Sequence, residues 1–352
     1  TRSGPCPSYR GPGFTEGIHY NAAIADSGIS WIQSDEEEFG GGGYGQACVC
    51  SRCEDRWKKW LKENRPMLNY LSPKEVVAKQ EKFPEHWRAW LWFRASLTTE
   101  RYKLYKEELE KAVAKYGAHS SPKPLLGWWA GAVDDPTLEV CMQDGRALAN
   151  TIDQVLLQHY FRYGLSHRRF RETFRRQYWA LNGRNCYAAM DSEGEDANVP
   201  GNMAAAALEI LFAGGSGYSI WLGPYMDTRQ WSELATVNDL LAQHEGTLLK
   251  GKDTDLFRCF ATEGKEAIFP AWSPDVCTAT RETETEGLLL ITDYRKERKP
   301  VWVERSLKDA GPMTLVDALT GEQAVQLTAG QWDFRIHLKD SPWKLLVWKK
   351  GG

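Results

Sequence analysis

The spacing of hydrophobic and polar positions changes repeatedly along the first 250 residues. Short apolar runs predict strands, and longer stretches with apolar residues every three to four positions predict helices. The predicted strands lie within 28–35, 123–132, 153–161, 217–224 and a segment that starts at 185. The helices that follow them are predicted at about 51–117 with interruptions near Pro66, Pro73 and Pro84, and at 142–150, 166–180, 202–215 and 228–247. Each predicted strand is therefore followed by a helix.

Five strand-then-helix units in succession indicate parallel strands joined by right-handed crossovers, so the fold class is α/β. Polar, aromatic and acidic residues follow the strands at their C-terminal ends. This pattern favours a (β/α)8 TIM barrel, whose active site lies at the face formed by those ends. Five units do not close an eight-stranded barrel. Because an open seam would leave strand edges unpaired, we expect the missing N-terminal barrel portion in an upstream segment or in a separate chain.

The pattern changes again from about residue 253. Short, partly alternating strands separated by Gly, Pro and Asp turns predict a C-terminal antiparallel β-sandwich of about 100 residues. The predicted strands are 287–295, 300–306, 313–318, 332–338 and 343–350. The predicted domains are therefore 1–250, the last five units of a catalytic barrel, and 251–352, the β-sandwich.

Composition narrows the possible partners. The formal net charge of -3 gives no strong attraction to nucleic acid, and we expect no such partner. No apolar run approaches the roughly 20 residues of a membrane span, and residues 1–20 lack the features of a signal peptide, so we expect a soluble chain. The 16 tryptophans suit the apolar faces of sugars, although most of them must lie in the core.

Three of the eight cysteines fall within six residues. The C-x-C-x2-C spacing of Cys48, Cys50 and Cys53 lets three thiolates face one ion, and tetrahedral zinc needs a fourth ligand. Cys6, in a turn before the first helix, is the best candidate. Such a closed site would be structural. Reactive free thiols and a catalytic zinc site are the alternatives.

Two acidic clusters follow predicted strands, "SDEEEF" at 34–39 and "MDSEGED" at 190–196. Retaining glycoside hydrolysis needs two carboxyl groups about 5 Å apart, and strand ends across a barrel mouth can supply them. Each cluster alone would ordinarily be a solvated loop. Their shared position after strands favours the catalytic interpretation.

Three segments, "GPCPSYRGPGF", "WIQSDEEE" and "CVCSRCEDRWKKWL", resemble the zinc-containing glycoside hydrolase family 42 β-galactosidases and related clan A barrel glycosidases. The resemblance covers residues 4–62 well and 185–225 more loosely. It implies that the chain begins just after the third barrel strand. It also implies a structural zinc ion, and the residues that match the family's four zinc ligands are Cys6, Cys48, Cys50 and Cys53.

The same resemblance places the family's Asp-Asn-Glu motif on Asp35, Glu36 and Glu37, which makes Glu37 the expected acid/base. Glu36 stands where the family has Asn, and a carboxylate cannot donate the amide hydrogen bond that orients the sugar 2-hydroxyl. Glu36 and Glu37 could exchange roles if the strand ends one position earlier.

The nucleophile is expected near Met190. Asp191 stands where the family has Glu after Met, and Glu193 follows two residues later. Both would face the same side if the strand continued. Because aspartate is one methylene shorter, we place Glu193 before Asp191, and Glu195 third.

Other residues at strand ends are expected to grip the sugar. Adjacent strand residues point opposite ways, so one of Trp128 and Trp129 should face the barrel interior. The complete set is Trp128, Trp129, Gln158, Tyr160 and Trp221.

These features predict a retaining exo-glycosidase with a carbohydrate substrate, and the resemblance implies a β-galactosidase. Glu37 would protonate the leaving oxygen, and Glu193 or Asp191 would form the glycosyl-enzyme. The alternative is a non-catalytic carbohydrate-binding or scaffold protein on a degraded barrel. The chain leaves no room for the family's trimer-forming domain, so the resemblance does not predict the oligomer, and the galactoside preference is weakened. A cytoplasmic and a periplasmic location both stay open.

Overall fold

The computed structural model describes most of the chain. The residues it describes are 6, 8–25, 31–35, 48–116, 125–130, 143–158, 167–181, 186–221, 223–263, 269–306 and 311–350. Strands β1 and β2, at Trp31–Asp35 and Leu125–Ala130, are described by their backbone.

Eight helices lie in the described part of the chain. They are α1 Pro12–Ala25, α2 Ser51–Asn64, α3 Pro73–Ala78, α4 Pro84–Tyr116, α5 Gly145–Ala149, α6 His167–Ala180, α7 Asn202–Phe212 and α8 Thr228–Lys250. The predicted helical region 51–117 is thus three helices. Pro73 begins α3 because its fixed φ suits a first helical turn, and Ser72 caps that turn by accepting the Glu75 amide.

Tertiary contacts divide the chain into two compact units, residues 1–158 with 176–186, and residues 159–175 with 187–352. In the first unit, β1 pairs with β2 and β2 pairs with β3, Gln154–Gln158, and both pairings are parallel. The predicted parallel arrangement is confirmed for these strands.

Helix α4 carries the core of the first unit, and α1, α2 and α3 all pack against it. Trp57 of α2 is fully buried, and its indole N–H donates to the Leu71 carbonyl at 2.9 Å. Its ring meets Trp90 of α4 edge-on at 5.4 Å. These aromatic contacts fix α2 against α4.

The second unit contains β4, Cys186–Asp191, and β5, Gly217–Trp221, which pair in parallel with Asp191 opposite Trp221. Cys186 itself is grouped with the first unit. Five of the six residues of β4 are buried, as expected of a parallel strand covered on both faces. Helices α7 and α8 contact each other and the antiparallel strands β9 and β10, at Val276–Glu282 and Glu286–Asp293.

The predicted β-sandwich consists of two antiparallel sheets. The predicted strands correspond to β10, β11 Val301–Arg305, β12 Met313–Asp317, β14 Asp333–Ile336 and β15 Trp343–Lys349. The strands that the pattern missed are β6 Lys252–Asp253, β7 Phe257–Glu263, β8 Phe269–Ala271, β9 and β13 Gln323–Leu327. One sheet is six-stranded, in the order β13-β12-β15-β10-β9-β6, and the other is four-stranded, in the order β14-β11-β7-β8.

Apolar side chains from both sheets, among them Phe257, Leu289, Val303 and Trp348, form one buried cluster. Because β6 starts two residues after α8 ends, the helical part leads directly into the sheets. The predicted domain boundary at residue 250 stays a prediction.

Within the described ranges, no helix has the length and apolar character needed to cross a bilayer.

Candidate metal centre and strand-end carboxylates

The four cysteines named from the sequence lie together in the first unit. The sulfurs of Cys6, Cys48, Cys50 and Cys53 are all within 4.8 Å of one another. Cys6 Sγ lies 3.4 Å from Cys50 Sγ and 3.5 Å from Cys53 Sγ. These separations are too long for a disulfide, whose sulfurs are about 2.05 Å apart.

Two short segments build this cluster. Cys50 is the N-cap of α2 and Cys53 lies in its first turn, so the helix start holds both sulfurs on one side. Cys6 sits in a turn closed by the Tyr9 amide, which donates to the Cys6 carbonyl at 2.8 Å. Cys53 is fully buried among Trp57 and Phe93, so the aromatic core fixes its position.

The surroundings shift the pKa values of these thiols in opposite directions. Burial raises the pKa of Cys53 and of Cys48. Burial also acts to raise the pKa of Cys50, but the Cys53 amide and the neighbouring thiols outweigh it and lower that pKa to about 6. One sulfur at the helix start is thus readily deprotonated, as a metal ligand must be.

A divalent metal fits this donor set. Tetrahedral zinc with Zn–S bonds of about 2.3 Å separates its sulfurs by roughly 3.8 Å, within the range that these four cysteines span. Four sulfurs fill the tetrahedral positions, so the set suits a closed site. The cluster could therefore hold a metal ion.

Two further residues contact the cluster, and sequence reasoning missed both. Buried Ser8 places its hydroxyl oxygen 3.3 Å from Cys53 Sγ. Arg94, on α4, is 5% exposed, and its guanidinium interacts with the Cys53 sulfur. The only sequence signal for Arg94 was a cation among apolar positions of a helix, "WLWFRASL".

The second unit holds the predicted nucleophiles. Asp191 is the last residue of β4 and is fully buried. Glu193 is exposed and follows the strand, because the chain turns at Gly194, whose φ is 105°, before a short 3-10 helix at Asp196–Asn198. The strand ends at Asp191, so the condition under which Asp191 and Glu193 would face the same side is not met. Glu195, also exposed, belongs to the same turn.

Aromatic residues follow the neighbouring strand β5. Trp221 is its last residue, lies in register with Asp191 and is 38% exposed. Tyr225 and Trp231 come next in the chain and are more exposed. Sequence reasoning named Trp221 but missed the other two, although an aromatic residue among Gly and Pro at a strand end was a usable signal.

The remaining predicted site residues are less fully described. Glu36, Glu37 and Tyr160 lie outside the described residues. Trp128 and Trp129 are on β2, where their backbones are in register with Ser34 and Asp35 of β1. Gln158 ends β3. Their sugar-binding roles stay predictions.

No protein-family model matches the chain, and no curated protein matches it. Among solved structures, Gan42B, a GH42 β-galactosidase from G. stearothermophilus, is similar at TM-score 0.59 and 10% identity, over 96% of this chain and 81% of that one. A β-galactosidase from Rahnella sp. R3 is similar at 0.57 and 10% identity, over 98% and 82%. An α-amylase from Geobacillus thermoleovorans reaches 0.47 at 10% identity, over 100% and 95%, too little to support a conclusion.

The chain therefore shares its fold with barrel glycosidases over most of its length. This agrees with parallel strands alternating with helices and followed by antiparallel sheets. At the level of the overall fold, this likeness supports the expected fold class, an α/β barrel portion followed by an antiparallel β-sandwich. At 10% identity the likeness extends to the fold alone.

Proposed function

We propose that this chain belongs to a retaining exo-glycosidase that acts by double displacement, with a β-galactoside as one possible substrate. The observation that carries the proposal is the position of Asp191 at the carboxyl end of a parallel strand, in register with the partly exposed Trp221. Active sites of barrel enzymes lie at that end of the strands. The fold shared with GH42 β-galactosidases supports the same proposal.

In the proposed mechanism, Glu37 donates a proton to the glycosidic oxygen as the bond to the anomeric carbon breaks. A carboxylate at the end of β4, Glu193 or Asp191, attacks that carbon and forms a glycosyl-enzyme. Glu37 then takes a proton from water, which hydrolyses the intermediate. Trp221 is proposed to stack on a sugar face, as are Trp128 or Trp129. Gln158 and Tyr160 are proposed to hydrogen-bond sugar hydroxyls.

Covalent trapping decides between the two nucleophiles. The full-length protein is first assayed on a panel of nitrophenyl glycosides to find its sugar. It is then incubated with the 2-deoxy-2-fluoro analogue of that glycoside, which slows hydrolysis of the intermediate. Peptide mass spectrometry should find the added mass on a peptide containing residues 191–193, and fragmentation assigns it to one side chain.

Two variants test the assignment of Glu37 as the acid/base residue. Glu37→Gln should reduce turnover by about 10²–10⁴-fold on substrates with poor leaving groups, and much less on dinitrophenyl glycosides, which need no proton. Glu36→Gln is the matched control one position away. Equal losses on both substrate types, or a leaving-group effect confined to Glu36→Gln, would contradict the Glu37 assignment.

We also propose that the four-cysteine cluster holds a structural zinc ion. Four sulfur donors within 4.8 Å of one another favour zinc, and four thiolates would leave no tetrahedral position open for substrate. Elemental analysis should find about one zinc per chain in the wild type, and none after Cys50→Ser. The matched control is Cys186→Ser, a buried thiol outside the cluster, which should keep the metal. A metal-free wild type, or zinc retained without Cys50, would contradict the proposal.

A second candidate function is carbohydrate binding without hydrolysis. The observation that favours it is that Asp191 is fully buried, while Glu193 lies beyond the strand and is exposed. Asp191 therefore has the strand-end position of a nucleophile but is not accessible to solvent. Glu193 is accessible but does not have that position. Saturable sugar binding by calorimetry, with no product over several days, would support this function against the first.

A further inference from the structure

Arg94 is an unusual neighbour for the cysteine cluster. Its side chain is on α4, which packs against the helix that carries Cys50 and Cys53, and the residue is only 5% exposed. In the described part of the chain, no carboxylate lies within ion-pair distance of its guanidinium, and its Nη1 has no hydrogen-bond partner. Its guanidinium interacts with the Cys53 sulfur of the cluster.

A buried guanidinium needs a compensating charge, because burial removes the water that stabilises the cation. The ring of Trp90 lies 5.9 Å from the guanidinium carbon. That distance is at the outer limit of a cation–π contact, about 6 Å, so the ring is a weak substitute for an anion.

The metal-bound cluster would supply that anion. A divalent metal with four thiolates carries two negative charges in total, because four thiolates bring four negative charges and the metal brings two positive ones. A positive group beside such a centre stabilises the metal-bound form over the metal-free form.

We propose that Arg94 is a positioning residue for the metal centre: it balances the negative charge of a metal–tetrathiolate cluster and thereby slows metal loss. This inference rests on the proposed zinc site. Ser8 contributes differently, since its hydroxyl can donate to Cys53 Sγ but carries no charge.

The experiment compares zinc release in three variants of Arg94. Arg94→Met removes the charge and the donors but keeps the length of the side chain. Arg94→Gln keeps a donor without the charge, and Arg94→Lys keeps the charge without the planar group. The zinc-loaded proteins are mixed with an excess of a coloured chelator, and the rate of zinc transfer is followed by absorbance.

We expect Arg94→Met and Arg94→Gln to release zinc about 10–100-fold faster than the wild type, the range typical for residues that contact metal ligands. Arg94→Lys should stay within a few fold of the wild type. The matched control is Arg88→Met, an exposed position on the same helix, which should not change the rate. Wild-type release from either neutral variant, or equally fast release from all three, would overturn the charge-balancing role.

Cobalt substitution keeps the test valid if a variant is less stable. The intensity of the sulfur-to-cobalt charge-transfer band reports how many thiolates bind the metal. We expect Arg94→Met to keep the four-thiolate spectrum while it releases metal faster. A spectrum with fewer thiolates would show that Arg94 shapes the ligand set rather than its charge, and would overturn the inference. A wild type that binds neither zinc nor cobalt would refute the metal site itself.

Discussion

Glu209 should make the second unit less stable as the pH rises, and Glu209→Gln should remove that effect. The carboxyl group lies on α7, is 1% exposed, and accepts hydrogen bonds from the Thr292 hydroxyl at 3.0 Å and the Tyr294 hydroxyl at 3.0 Å. Burial raises its pKa from 4.5 to about 7, although the Arg171 charge and these two hydrogen bonds act in the opposite direction.

The raised pKa sets the direction and the size of the effect. Between 4.5 and about 7 the folded chain holds a proton on Glu209 that the unfolded chain has released, so stability falls as the pH rises through this window. Each pKa unit is about 1.4 kcal/mol, so the folded state loses roughly 3 kcal/mol in total. Glutamine is neutral at every pH and its carbonyl can accept the same hydrogen bonds.

The assay is urea unfolding of the wild type and Glu209→Gln at several pH values between about 5 and 8. The stability of Glu209→Gln relative to the wild type should increase by about 2–3 kcal/mol over this range and then level off. Comparing the two proteins at each pH cancels any acid effect on the cysteine cluster.

The control is Glu286→Gln, in the same unit. Burial acts to raise the pKa of Glu286, but contacts with Lys349, His244 and Thr247 outweigh it and lower that pKa below 4.5. Its carboxylate therefore stabilises the fold above its unfolded pKa, and that stability is lost as the pH falls through the folded pKa. Glu286→Gln should accordingly destabilise the folded chain at neutral pH, which is the opposite of the effect expected for Glu209→Gln. A Glu209→Gln effect that does not vary with pH would refute the reasoning.

Two further pairs of substitutions test packing, each by its effect on the unfolding free energy in urea. Trp57→Ala should cost about 3–5 kcal/mol, because the indole is fully buried. The exposed Trp231→Ala should stay within about 0.5 kcal/mol of the wild type. Gly201→Ala should destabilise by more than about 1 kcal/mol, since Gly201 has φ +85 and a Cβ would lie 2.3 Å from Pro342 Cδ. Gly246→Ala, in α8 with nothing within 4 Å, should stabilise by about 0.5–1 kcal/mol. A larger cost at Trp231 than at Trp57, or equal effects at the two glycines, would contradict these assignments.

The α/β part of the fold could be predicted from sequence because buried parallel strands are continuous apolar runs. In β4, "CYAAMD", five of six residues are buried, and the run stands out from the helices on either side. Periodicity did not mark where this strand ends. The strand ends at Asp191, and Glu193 lies in the turn that follows, next to Gly194 with its φ of 105°.

The missed sandwich strands lack an apolar run. In β9, "VCTATRE", the buried Arg281 donates to the Phe212 and Gly251 carbonyls, so a core position looks polar in the sequence. Strand β13 is at a sheet edge and mostly exposed, so burial does not constrain its side chains. In both cases tertiary contacts decide the structure and no local pattern records them.

The candidate metal centre shows the same limit. Close spacing identified Cys48, Cys50 and Cys53, since ligands on one short segment are visible in the sequence. Arg94 comes from another helix and only the packing of α4 on α2 brings it to the cluster. Sequence spacing can thus predict ligands, but not the residues that support them.

The difference between Asp191 and Glu193 matters for the proposed glycosidase mechanism. Retaining enzymes place their two carboxyl groups about 5 Å apart, and inverting enzymes leave more room for a water molecule. An aspartate at the end of β4 holds its carboxylate one methylene further from the sugar than a glutamate would. If Asp191 is the reacting group, the turn at Gly194 must compensate for that shortening. If Glu193 is the reacting group, the turn that carries it must take up a fixed conformation when the proposed sugar binds, because Glu193 lies beyond the end of the strand. In both cases the proposed catalysis would depend on the loops that follow these strands, and the fold shared with GH42 enzymes is not enough to establish it.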